Sequence, residues 1–258
     1  MTTISERGAE LRRLHHAPEL LQVVNVWDAI SARAVAALPE TRALATASHS
    51  IAATLGYDDG ENIPLAEMLD MVRRIVEATD LPVSADLEAG YGDAGETIRR
   101  AIGVGAVGAN LEDQMKPFDD AVRAVRDAVA AADAEGVPFA LNARTDAFLR
   151  GGLPDDEQKA EEAIRRGRAF LDEGATCVFV PGKLDERTVE RLVGGLGERS
   201  ISVIAVPGSL PPARLAELGV ARVSYGPWTQ RVALTSLQLL ATELYAGGAL
   251  PEGTRVLN

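Results

Sequence analysis

Pro82-Val-Ser-Ala-Asp86-Leu-Glu88-Ala-Gly-Tyr-Gly92 is the stretch on which the fold turns. Its first part, Pro82–Asp86, is short and mostly apolar, as expected of a strand buried on both faces of a parallel sheet. It ends abruptly in two carboxylates and a glycine-rich turn, and a helical pattern follows at Thr97–Gly103. That is one β/α unit with its polar chemistry at the strand's C-terminal end.

The same unit recurs outward in both directions. Further strand candidates are Gln22–Val26, Ala43–Ala47, Ala106–Leu111, Phe139–Ala143, Cys177–Val180, Ser202–Val206 and Arg222–Ser224. Helical patterns lie between them at Leu65–Thr79, Pro117–Glu135, Asp155–Glu173 and Pro212–Leu218. In the first of these, Leu65, Met68, Leu69, Met71, Val72 and Ile75 form one apolar stripe, while Arg73, Arg74 and Glu77 can face water. Thr3-Ile-Ser-Glu6 reads as a capping box for a leading helix. Pro64, Pro154 and Pro211 sit where first turns begin, and Gly136, Gly174 and Gly219 where helices stop. No Ser/Gly/Pro-rich linker divides the 258 residues. The expected fold is therefore α/β, a TIM-type (β/α)8 barrel in one domain over residues 1–258, with a leading N-terminal helix. A doubly wound open sheet is the alternative, because periodicity alone does not show closure.

Composition narrows the function. Hydrophobic residues make up 47% and charged residues 25%, an ordinary globular balance. The net charge of −12 opposes the basic footprint that nucleic acid or an anionic membrane surface requires, so neither is expected as a partner. No apolar run reaches a membrane span, and residues 1–16 lack the apolar core of a signal peptide. With Cys177 the single cysteine, neither an intrachain disulfide nor a cysteine zinc cluster can form, which fits a reducing, cytoplasmic setting.

Polar residues gather at the predicted strand ends. Strand two is followed by Ser48, His49 and Ser50, then a loop with Tyr57, Asp58 and Asp59. Strand three ends in Asp86-Leu-Glu88, strand four in Asn110-Leu-Glu112-Asp113 and strand five in Asn142-Ala-Arg144-Thr-Asp146. Alternation places Asp86 with Glu88, Asn110 with Glu112 and Asn142 with Arg144 on common faces, which in a barrel converge on one mouth. Carboxylates crowded together repel unless a cation neutralises them. An all-oxygen set suits Mg2+ or Mn2+. Arg144 has the fork to grip a carboxylate or phosphonate. Asp93, Asp113 and Asp155 read instead as helix caps or surface charges.

These residues carry a resemblance. Ala-Asp86-Leu-Glu88-Ala-Gly-Tyr-Gly, Asn110-Leu-Glu112-Asp113 and Asn142-Ala-Arg144-Thr-Asp146 resemble motifs of the isocitrate lyase/phosphoenolpyruvate mutase superfamily. Asn25-Val-Trp27-Asp28-Ala-Ile-Ser31-Ala-Arg33 and Leu55-Gly56-Tyr57-Asp58-Asp59-Gly60 match in order, so the likeness runs from about residue 20 to about residue 245. The resemblance implies a modified barrel, a dimer or dimer of dimers exchanging its C-terminal helix, and Mg2+ beside a 2-oxo or 2-hydroxy acid. It implies Asp86 as direct metal ligand, with Glu88, Glu112 and Asp59 holding metal-bound waters. Ser48 then binds the substrate carboxylate and Arg144 its other anionic oxygens. Asn110 and Asn142 line the substrate site, and His49 occupies a substrate-loop position open to a specificity or acid–base role. Arg144, Glu112 and His49 are the catalytic candidates. The implied chemistry is cleavage of a C–C bond through a metal-stabilised enolate. The alternatives are P–C bond chemistry on a phosphonate, or a non-catalytic member that only binds oxo acids.

The chain departs from that pattern at one loop. Lyases of the superfamily carry Lys-Lys-Cys-Gly-His after strand four, where this chain has Gln114-Met-Lys116-Pro-Phe-Asp119-Asp. Cys177 lies at the start of a strand and reads as a buried structural thiol.

Two further motifs read as decoys. Gly103-Val-Gly105-Ala-Val-Gly108 matches the dinucleotide fingerprint in letters, but it closes a helix and leads into a strand, the reverse of what a phosphate loop needs. Lys183, after strand six, would be the Schiff-base lysine of a metal-free aldolase, yet the polar Asp185-Glu186-Arg187 beside it reads as a solvated helix start. Finally, Trp228–Leu244 contains Val232, Leu234, Leu237, Leu239, Leu240 and Leu244, too apolar all round for a helix packed on one face.

Overall fold

The computed structural model describes residues 2–150 and 152–257. A leading helix α1 (Ile4–His16) precedes β1 (Leu21–Val23), β2 (Asn25–Val26), α2 (Ala29–Ala36), β3 (Leu44–Thr46), α3 (Ser48–Leu55) and α4 (Leu65–Glu77). Regular alternation follows: β4 (Val83–Asp86), α5 (Ala94–Gly103), β5 (Gly108–Glu112), α6 (Phe118–Ala134), β6 (Ala140–Arg144), α7 (Asp156–Asp172) and β7 (Cys177–Val180). The chain ends through α8 (Glu186–Leu196), β8 (Ile201–Ile204), α9 (Pro212–Glu217), β9 (Arg222–Ser224) and α10 (Trp228–Tyr245).

All strand pairs are parallel, in the order β1-β9-β8-β7-β6-β5-β4-β3-β2. β1 and β2 are separated only by Val24, so they are two halves of one strand. The first half pairs with β9 and the second with β3, and the sheet closes on itself as the expected barrel. Asn25 reinforces the seam. Its Oδ1 accepts from the Tyr225 and Gly226 amides at 2.7 and 2.8 Å, while its Nδ2 donates to the Thr46 carbonyl.

The local signals behave as their chemistry dictates. Thr3 and Glu6 form the capping box of α1, and Asp93 and Asp155 cap α5 and α7. Helix α1 lies across the N-terminal end of the barrel, with Leu11 fully buried. A Cβ on Gly108 would come within 2.7 Å of Leu11 and 2.8 Å of the Ala140 carbonyl. That glycine therefore allows close packing of α1 on β5 and cradles no phosphate. Cys177 is buried at the N-terminal end of β7, and burial pushes its thiol up to about 12.

Helix α10 leaves the barrel after Gln230. Val232, Leu234, Leu237 and Leu239 are each more than half exposed, so this helix does not close its own barrel.

Candidate active site

The mouth is built by the C-terminal ends of β3 to β6. Register sets Asp86, Asn110 and Asn142 side by side at one level, with Glu112 opposite Arg144 one step further out. The same-face pairs expected from alternation thus converge on one end of the barrel.

Asp86 does more than end its strand. Its Oδ2 accepts from the Ser48 amide at 3.0 Å and from the Ser48 hydroxyl at 2.8 Å. Ala47 gives α3 no side-chain cap, so a carboxylate from β4 serves as one, favourably placed at the helix's positive end. Ser48 is therefore joined to Asp86, and His49 sits in the first turn of α3, half-buried, with its Nδ1 enclosed and without a partner among the described residues. His49, expected at a substrate-loop position, thus stands on a helix, Ser48–Leu55, and the loop with Asp58 and Asp59 begins only after it.

Glu88 and Glu112 are both buried, and each is engaged. Glu88 accepts from the Glu61 amide and, at 3.1 Å, from the Tyr91 hydroxyl; Glu61 in turn accepts from the Tyr91 amide at 2.6 Å. Glu61, Glu88 and Tyr91 all have positive φ, so this knot holds three non-glycine residues in the left-handed region. Glu112 meets Arg144 Nη1 at 2.6 Å, and Gln114 donates to its other oxygen. Burial, opposed in part by hydrogen bonds and aided by the Asp86 charge, pushes Glu88 up to about 7. Burial also pushes Glu112 up to about 7, with Arg144 opposing and Asp146 and Asp86 assisting. Asp59 is exposed on the loop beyond α3, near enough for its charge to act on Glu88.

Arg144 is clamped from two sides. Nη1 holds Glu112, Nε holds Asp146 at 2.7 Å, and the guanidinium carbon lies 5.9 Å from the Phe179 ring centre. Burial disfavours its charge, but Glu112, Asp146 and Asp86 outweigh that effect and raise its pKa. Nη2 makes no hydrogen bond among the described residues and is not enclosed, so one corner of the fork faces the mouth.

Asp113 corrects the sequence reading. It is neither a helix cap nor a surface charge but is buried at the junction of two loops. Its Oδ1 accepts from the Met115 and Asp146 amides, both at 2.9 Å, and its Oδ2 from Arg166 at 3.1 Å. It thereby fixes the turn after β5 to the turn that carries Asp146, and so the anchor of Arg144. Arg166, which also donates to Glu162 and to the Lys116 carbonyl, was invisible as a partner from its place within α7.

The donor set fits a hydrated hard cation. All the donors are oxygens, and the Asp86 charge adds to the raised state of Glu88 and Glu112, a repulsion that a cation relieves. Among the described residues no three acidic or imidazole groups stand close enough to enclose a bare ion. An ion with one protein carboxylate and a shell of waters, the usual habit of Mg2+, matches that spacing.

Comparison with known proteins bears on the same residues. Residues 11–245 match the phosphoenolpyruvate phosphomutase family. The chain belongs to that family. Family relatives include 2,3-dimethylmalate lyase of Eubacterium barkeri, 27% identical over 82% of this chain and 75% of the relative. Oxaloacetate decarboxylase of Paraburkholderia xenovorans is 27% identical over 88% of this chain and 78% of its own. A solved structure from Burkholderia cenocepacia J2315, provisionally named a phosphonomutase, is 39% identical, with a TM-score of 0.86 over 95% of this chain and all of that one. The resemblance to the isocitrate lyase/phosphoenolpyruvate mutase superfamily holds, and the superfamily comprises carbon–carbon lyases and mutases.

Proposed function

We propose that this protein is a Mg2+-dependent lyase that cleaves a C–C bond in a small 2-oxo or 2-hydroxy (di)carboxylate. The observation that carries the reading is the convergence of Asp86, Glu112 and Arg144 from three neighbouring strands on one barrel mouth. Relatives named for cleaving dimethylmalate and decarboxylating oxaloacetate support it.

Asp86 would hold the ion directly, with Glu88, Glu112 and Asp59 reaching it through water. When bound, Mg2+ supplies Lewis acidity toward a carboxylate and the oxygen next to it. The chain's own residues do the rest. Arg144, held between Glu112 and Asp146, offers its open corner to an anionic oxygen of the substrate and keeps a fixed positive charge where negative charge develops. Asn110 and Asn142, bonded to each other, would line the floor, and Ser48, whose amide and hydroxyl both donate to Asp86, orients that carboxylate. The loop after β5 carries no cysteine, and Cys177, buried in register with Asn142, keeps its proton. His49, at the mouth end of α3, is the residue we assign to hand a proton to the product carbanion.

The test is a panel of oxaloacetate, 2-alkylmalates, methylisocitrate, isocitrate and phosphonopyruvate, assayed with Mg2+ and with EDTA. Turnover of a C–C substrate that EDTA abolishes supports the reading. Turnover of phosphonopyruvate alone selects P–C chemistry, a second reading favoured by the 39% identical relative named for that activity. Tight binding without turnover marks an oxo-acid-binding member.

The exposed apolar faces of α10 support a homo-oligomer, a dimer or dimer of dimers in which this helix packs on a second copy. No helix among the described residues is long and apolar enough to cross a membrane, and we place the protein in the cytoplasm.

A further inference from the structure

Beneath the mouth the barrel encloses a charge that the reaction above does not use. Arg222, on β9, is 1% exposed, yet its Nη1 donates to Asn110 Oδ1 on β5 at 3.1 Å. Strands β8, β7 and β6 separate those two strands in the sheet, so the side chain spans the barrel interior. Its Nε and Nη2 have no partner among the described residues, and no carboxylate is bonded to it.

The surroundings leave that charge without a bonded counter-ion among the described residues. Burial, aided by Arg222 itself, pushes His15 down to about 3, so the imidazole is neutral. Cys177 stays a thiol. Asp86, already bonded to Ser48, supplies the opposing charge from the mouth side. Desolvation brings Arg222 down to about 10, which still leaves it protonated at neutral pH. A buried guanidinium without an ion-pair partner is worse for stability than an apolar side chain of similar size. Its presence calls for another reason.

The hydrogen-bond chemistry supplies one. A guanidinium has donors and no acceptor, so it can face only the oxygen of the Asn110 amide. The same oxygen accepts from Asn142 Nδ2 at 2.7 Å. Both partners turn Oδ1 inward and leave Asn110 Nδ2 as the outward group. That nitrogen makes no hydrogen bond among the described residues and is not enclosed, and its residue is level with Asp86 in the ladder.

We propose that Arg222 is a positioning residue that locks the Asn110 amide with its N–H pair turned to the mouth, as a donor to an anionic oxygen of the substrate beside Asp86. The inference rests on the oxo-acid reading above. Without Arg222 only the Asn142 amide holds it, and because an amide can swap donor for acceptor the two can turn over together, so that Asn110 presents its oxygen, which repels an anion.

The test uses oxalate, a dianion shaped like the enolate of a 2-oxo acid, titrated calorimetrically into the full-length protein with Mg2+. Arg222→Met should weaken binding about tenfold, the loss of one hydrogen bond to an anionic oxygen. Its thermal midpoint should hold or rise, since an unpaired buried charge is removed. Arg222→Lys, still a pure donor, should recover most of the affinity. Asn110→Ala should lose a similar factor, and the double variant should bind no worse than Asn110→Ala alone. Unchanged affinity in Arg222→Met, additive losses, or weakened binding with a lowered midpoint and no rescue by lysine would each overturn the role. Should Arg222→Met not fold, Asn110→Ala decides, and wild-type affinity in it overturns the proposal. Wild-type protein that binds no oxalate removes the oxo-acid reading and this inference with it, whereas wild-type binding unmatched by any loss in the variants removes this inference alone.

Discussion

Asp113→Ala would strip one buried carboxylate from three donors at once. Arg166, 5% exposed, would keep its charge without the Asp113 oxygen at 3.1 Å, and the Met115 and Asp146 amides would lose their acceptor at 2.9 Å. Removing one partner of a buried ion pair costs about 3–5 kcal/mol, because the other charge stays behind. Glu162 still reaches Arg166, which holds the ionic part near the lower end. Each orphaned amide adds roughly 1–3 kcal/mol unless water reaches it. The turn itself is strained, since Gln114 and Met115 have φ of 48° and 55° and Asp113 is what holds them there. These losses overlap, so a total near 4 kcal/mol is expected, or a midpoint drop of roughly 8–16 °C at about 2–4 °C per kcal/mol. Urea denaturation and calorimetry would measure it. Asp113→Asn should fall between, because the amide oxygen can still serve the two backbone donors while its N–H2 opposes Arg166. Glu96→Ala, which breaks an exposed pair with Arg99, is the control and should cost under about 0.5 kcal/mol. A loss below about 1 kcal/mol in Asp113→Ala would refute the reasoning.

Other expectations follow from the same geometry. Asp86→Ala should abolish Mg2+ binding in calorimetry, while Glu88→Ala and Glu112→Ala weaken it about 10- to 100-fold; unchanged affinity in Asp86→Ala would refute the ligand assignment. Arg144→Lys keeps the charge but cannot hold Glu112, Asp146 and substrate together, so kcat should fall by a factor equivalent to about 2–4 kcal/mol on whichever substrate the panel reveals. His15 is neutral when folded, its pKa lowered to about 3 by burial and by Arg222, but takes up a proton near its ordinary value when unfolded. At His15 the unfolded chain thus binds more protons below pH ~6.5, whereas Glu88 and Glu112, raised to about 7 when folded, change stability the other way in wild type and variant alike. Between pH 7 and 5 the stability of wild type should therefore fall by about 2 kcal/mol relative to His15→Asn. Light scattering at micromolar concentration should give a multiple of 27.3 kDa, reduced toward one chain by Leu237→Glu on the exposed face of α10.

The sequence disclosed what is periodic and local. β7 and β9 fall where the apolar runs placed them, and the acidic and amide residues of β4, β5 and β6 share a mouth because alternation is fixed by backbone geometry. What stayed hidden depends on partners far along the chain. Helix α3 has no cap of its own, and its Asp86 cap arrives from 38 residues away. Asp113 looked like a surface charge because Arg166 lies 53 residues downstream on a helix otherwise rich in solvated pairs. Arg222 left one local trace, a charged residue at an inward position of a strand otherwise buried throughout.

The split first strand also sets the order in which the molecule can assemble. The rung from Tyr225 to Asn25 joins residues 200 apart, so the ring cannot close until nearly the whole chain is present. Contacts of such separation form late, because loop entropy must be overcome before they yield anything. During synthesis the growing protein is an open sheet whose first strand lacks one neighbour and whose newest strand lacks the other. Both edges offer unpaired backbone to any other chain. Translation halted before Tyr225 would leave that state permanent, and a cell must shield it or degrade it.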